Sequence, residues 1–142
     1  MITTMRALSV VMAAAAAALP GQLLAQEARL SVELNEVAPS DKGCKLTFVA
    51  TNGLAQSLDK VSFEFVLFDG KGLVERMAVL DFRDLPAGKL KVRQFDLSGT
   101  KCDQVKSMLI NDAPVCTGEG VAKDACIKAL ATGSKSPVEL KG

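Results

Sequence analysis

From Cys44 to Asn52 apolar and polar residues alternate with one interruption at Val49, with Cys44, Leu46, Phe48 and Ala50 on one parity and Lys45, Thr47 and Thr51 on the other. Side chains of an extended strand point alternately to its two faces, so this stretch reads as a strand with one buried side. Two-residue periodicity recurs along the chain. Arg29 to Val37 carries Leu30, Val32 and Leu34 on one face, and the turn chemistry of Pro39-Ser40-Asp41-Lys42-Gly43 closes it. Val61 to Asp69 places Val61, Phe63, Phe65 and Leu67 together, while its other face changes from Ser62 and Glu64 to Val66 and Phe68. Asp69-Gly70-Lys71-Gly72 is a hairpin signal, Leu73 to Phe82 returns as a strand, and Leu85-Pro86-Ala87-Gly88 is a second turn.

Lys89 to Leu97 breaks phase, since Leu90 and Val92 share one parity and Phe95 and Leu97 the other; a bulge near Arg93-Gln94 would restore it. After Ser98-Gly99-Thr100, Val105 to Ile110 is the sixth strand. Beyond Cys116, the spacing of Val121, Ala122, Ala125, Ala129 and Leu130 predicts a helix that Gly133 stops, and a polar, flexible tail is expected over 134–142. Six short strands and one late helix imply a mainly β fold, an antiparallel two-sheet sandwich of immunoglobulin-like order.

The N-terminal segment sets the expected compartment. Arg6 precedes an apolar run from Ala7 to Leu19, which Pro20-Gly21 interrupts before a small residue at Ala25. That layout matches a cleavable signal peptide over 1–25, with the folded domain over 26–133. The run is shorter than the ~20 apolar residues a membrane span needs. Arg6 stands alone, so nothing points to twin-arginine export, and no cysteine follows closely enough for a lipid anchor. The expected address is periplasmic or secreted, without stable membrane insertion after cleavage.

Of the 17 Lys and Arg, Arg6 alone falls in that leader, so the remainder balances the 16 Asp and Glu. A neutral, interspersed charge distribution gives no steering toward nucleic acid or anionic membrane, and neither is expected as a partner. All four cysteines, Cys44, Cys102, Cys116 and Cys126, lie past the leader, and an even number in an oxidising compartment reads as two disulfides. Spacing alone leaves three pairings open. In an immunoglobulin-like sandwich the second strand and the one after Cys102 run the same way in opposite sheets, which favours Cys44–Cys102. Cys116–Cys126 then ties the helix to the strand it leaves. Loop entropy assigns the long bridge roughly 4 kcal/mol and the short one roughly 3 kcal/mol.

Leu58-Asp59-Lys60-Val61, Phe65-Val66-Leu67-Phe68-Asp69-Gly70-Lys71-Gly72 and Leu85-Pro86-Ala87-Gly88 together resemble the FxLYD-type immunoglobulin-like domain of bacterial exported proteins. Phe95-Asp96-Leu97-Ser98-Gly99 ahead of Cys102 is similar to a stretch found in small uncharacterised exported proteins. The resemblance covers roughly residues 44 to 97, with Phe68 in the slot usually held by Tyr. It implies a fold and an envelope address, and it brings no catalytic residues.

The chain contains no His, Trp or Tyr. Without histidine, Ser-His-Asp and Cys-His catalysis and the usual catalytic zinc sites are excluded. Ser57 to Lys60 and Ser98 to Lys101 match Ser-x-x-Lys, but both lie in strand-linking segments without the companion motifs of serine-lysine enzymes. The cysteines lack the C-x-x-C spacing of zinc knuckles and redox thiols. Asp69 and Asp81 read as turn formers before cation ligands. No cofactor, metal or catalytic residue is therefore expected.

What remains is an apolar strip of Val66 and Phe68 beside Leu80 and Phe82, read as covered by the C-terminal helix or used for a partner. A sheet edge offers a second route, by strand addition. The expectation is a non-enzymatic binding or accessory module of the cell envelope. A self-associating structural component is the alternative, followed by an enzyme working through Lys, Asp, Glu or Ser alone.

Overall fold

The computed structural model describes residues 27–142, so the expected leader lies outside the described residues. The chain forms strands β1 (Leu30–Pro39), β2 (Gly43–Asn52), β3 (Leu58–Phe68), β4 (Val74–Leu85) and β5 (Leu90–Ser98). A 3-10 turn at Cys102–Gln104 leads into β6 (Ser107–Thr117), helix α1 (Ala125–Lys128), β7 (Leu130–Ser134) and β8 (Glu139–Lys141). These make two four-stranded sheets, ordered β5-β2-β1-β7 and β4-β3-β6-β8. The fold is a mainly β sandwich with two disulfides and one short helix.

The alternating pattern supplies the core. Leu46 and Phe48 from β2 face Phe63, Phe65 and Leu67 from β3, all fully buried. Phe82 on β4 lies at the centre of an aromatic cluster, with ring centroids 5.2 Å from Phe63, 5.4 Å from Phe48, 5.2 Å from Phe95 and 6.1 Å from Phe65. Since Phe48 and Phe95 belong to one sheet and the other rings to its opposite, this cluster joins the two layers.

Both disulfides have the pairing favoured from the sequence. Cys44, at the start of β2, bonds Cys102 just before β6 with Cα atoms 5.0 Å apart, and Cys116 on β6 bonds Cys126 in α1 at 6.0 Å. Gly43 permits the first of these, because a Cβ there would sit 2.2 Å from the Leu97 carbonyl oxygen. A side chain would push β2 off β5 beside the bridge.

Three features differ from the sequence reading. No register shift occurs in the β2–β5 ladder from Gly43↔Ser98 to Thr51↔Leu90, so β5 carries no bulge. The phase conflict is met by exposing Leu90 and Val92 while Arg93 joins Phe95 and Leu97 on the inner face. The helix is four residues long, below the length at which a helix holds without tertiary support, and Leu130 pairs with Leu30 instead of extending it. The segment expected as a flexible tail over 134–142 instead contains β8, with Val138 and Leu140 buried.

These C-terminal strands also qualify the antiparallel expectation. β7 runs parallel to β1 and β8 parallel to β6. One short segment thus borders both sheets on the same side of the sandwich.

Candidate functional site

The opposite side is formed by β4 and β5, which end their respective sheets and are joined by the Pro86–Lys89 turn. Asn52 fixes this crossing. Its fully buried side chain donates from Nδ2 to the carbonyls of Gln56 at 2.9 Å and Leu85 at 2.8 Å, and its Oδ1 accepts the Leu54 amide at 2.9 Å. The Gly88 amide donates to the Asn52 carbonyl at 2.7 Å.

Two arginines stitch the edges together. Arg93, 8% exposed, donates from Nε to the Phe82 carbonyl at 2.6 Å and from Nη2 to the Asp84 carbonyl at 2.8 Å. Its Asp84 carboxylate contact is long, at 3.5 Å, and half solvated, so the carbonyl bonds account for its placement. Arg76 reaches the other way, from Nη1 to the Ser98 carbonyl at 2.8 Å and the Thr100 hydroxyl at 3.0 Å.

This side also gathers the exposed hydrocarbon. Among the described residues, the large apolar side chains left open are Leu73, Val74, Met77, Val79, Leu90, Val92 and Ile127, and all but Ile127 belong to β4, β5 or the turn entering β4. Met77 and Val79 are 52% and 58% exposed. On the outer face, Met77 lies opposite Val66, which in turn lies opposite Leu109 of β6. On the outer face of the other sheet, Val92 lies opposite Val49.

The apolar strip read from sequence is therefore re-phased. Pairing of Phe63 with Leu80 and Phe65 with Ala78 puts even-numbered β4 residues on the inner face, so Leu80 and Phe82 belong to the core. Val66 points outward but is 6% exposed between its cross-strand neighbours, and Phe68 is half-buried. Helix α1 packs against β6. The outward apolar residues of β4 are Met77 and Val79, whose signal was their odd spacing within Leu73 to Phe82.

Other sequence candidates have local structural roles. Asp69 Oδ1 accepts the Lys71 and Leu73 amides at 2.8 and 3.0 Å, closing the β3–β4 turn. Asp81 Oδ1 accepts the Arg83 amide at 2.8 Å, supporting Arg83 at a φ of 59°. Ser57 Oγ accepts the Ala87 amide at 3.0 Å. Asp59, Lys60, Ser62, Asp81, Arg83 and Asp84 line a shallow recess, and apart from the Asp81 carboxylate on the Arg83 amide no side-chain hydrogen bond joins any two of them. Among the described residues no group of three or more His, Cys, Asp or Glu is placed to hold a metal ion, and no cysteine is free. Lys128, 2.7 Å from Asp124, holds that carboxyl below its ordinary range by hydrogen bond and charge, and its own ammonium is raised in return. This is a solvent-exposed pair within α1 and its cap.

No protein-family model, curated protein or solved structure matches the chain. Among the described residues no helix is long and apolar enough to cross a membrane.

Proposed function

We propose that this chain is an exported, disulfide-stabilised module of immunoglobulin-like type that serves the bacterial cell envelope by binding, and that its contact surface is the β4–β5 side. The observation that carries this reading is the clustering of exposed hydrocarbon along two neighbouring edge strands. Isolated apolar residues are ordinary on a protein surface, whereas long edge strands that each carry several of them invite a partner. The leader-like N-terminus and two disulfides are compatible with work outside the cytoplasm.

Crosslinking followed by affinity capture from the envelope fraction tests the proposal, with Met77→Asp as the comparison. Wild type is expected to recover a defined set of crosslinked species that the variant loses while keeping wild-type thermal unfolding. Equal recovery by a folded Met77→Asp protein would move the contact surface elsewhere.

A further inference from the structure

The occupant of the β4 edge can be named from the strand itself. Resting on the reading of the β4–β5 side as a contact surface, we infer that β4 pairs antiparallel with β4 of a second copy of this chain, about a two-fold axis at Val79. β4 has a neighbour on one side only, β3. Arg93 occupies the Phe82 and Asp84 carbonyls, so the backbone open to another strand extends from Val74 to Asp81.

Charge selects the register. An axis at Ala78 brings Glu75, at the register shift of β4, toward Asp81 of the second copy, twice, and neighbouring like charges are unfavourable. An axis at Met77 sets Glu75 opposite Val79 and gains no ion pair. With the axis at Val79, Val79 meets its own copy and Met77 to Asp81 pair with Asp81 to Met77. Glu75 and Arg83 lie just outside the regular stretch, at the register shifts that bound it, and Glu75 of each copy reaches the same end of the pair as Arg83 of the other.

Glu75 and Arg83 are exposed, and among the described residues neither makes an ion pair within the chain. Backbone pairing ends at Asp81, where Arg93 begins, and the two ion pairs flank it. The described residues carry balanced charge, so two copies meet without net repulsion. The resulting eight-stranded sheet brings together the outward Met77 and Val79 of both copies.

Every native cysteine is paired, so an introduced one reports proximity cleanly. The test is disulfide crosslinking of the oxidised protein carrying Val79→Cys, with Val92→Cys on β5 as the comparison. Val79→Cys is expected to give a linked dimer at least about tenfold faster than Val92→Cys. Arg83→Glu added to Val79→Cys should slow linkage by about tenfold, and adding Glu75→Arg to that should restore it. Linkage no faster at Val79 than at Val92, or unaffected by Arg83→Glu, overturns the proposal. Should Met77→Asp abolish envelope capture while Val79→Cys stays monomeric, the contact surface stands and the second copy is wrong.

Discussion

The two sides of the sandwich deal with their exposed strand edges in opposite ways. On one side β7 and β8 are five and three residues long, and one continuous segment supplies both. Its polar groups are used internally: Ser134 Oγ donates to the Val138 carbonyl at 2.6 Å, and the Lys135 amide donates to Leu34 at 2.9 Å. On the other side β4 and β5 run for twelve and nine residues and expose hydrocarbon on both outer faces. Short, polar edges resist further pairing, and long apolar ones invite it. The contrast teaches that closure of the sheet edges is local to the β7–β8 side, while the β4–β5 side is tied by Asn52, Arg93 and Arg76 and leaves the outer edge of β4 open.

The strongest challenge to this contrast is Phe82→Ala. If Phe82 is the hub of the aromatic cluster, the truncation costs about 3–5 kcal/mol in urea unfolding. A loss under about 1 kcal/mol would return Phe82 to the surface strip and erase the division between the inner and outer faces of β4. Next is Arg93→Ala, which leaves the Phe82 and Asp84 carbonyls without their charged donor and is expected to cost about 2–3 kcal/mol. It should also increase association at the β4 edge, read as the concentration dependence of sedimentation. A destabilised variant with unchanged association would limit Arg93 to a purely internal role.

Much of the sandwich was legible in the chain because alternation is a strong signal where one face is buried. Leu30, Val32 and Leu34, and the parity of Cys44 to Ala50, fall where the pattern puts them. The cysteine pairing followed from strand direction. The phase of β4 was harder to read, since Leu73, Met77 and Val79 share one parity and Leu80 and Phe82 hold the other, so both faces look apolar. Only the β3 register decides between them. In β5 the expectation of a bulge assumed that every apolar residue must be buried, whereas the fold leaves Leu90 and Val92 open and turns a guanidinium inward. β7 was illegible for a different reason. Leu130-Ala131-Thr132-Gly133-Ser134 has no alternation, and its strand character comes from pairing with β1.

Smaller effects sharpen the description of the closed side. Ser134→Ala removes the hydroxyl that accepts the Ser136 amide at 3.1 Å and donates to Val138, and about 1 kcal/mol of unfolding stability should go with it. No effect on association is expected from this variant. The smallest effect concerns pH. Lys128 lowers the Asp124 carboxyl pKa, so that pair's contribution is present above the unfolded carboxyl value and fades as pH falls through the lowered folded value. The raised Lys128 loses its contribution as pH rises through its folded value. Lys128→Ala should flatten the acid limb slightly and leave the midpoint at neutral pH almost unchanged, because the pair is fully solvated.

Amide hydrogen exchange across protein concentration compares the two sides in one sample. Protection between Val74 and Asp81 should grow with concentration as a second copy covers β4, while the amides of β7 and β8 keep constant rates. Exchange in β4 that is identical at all concentrations, or protection that rises at β7 and β8 instead, would contradict the assignment of β4 as the pairing edge.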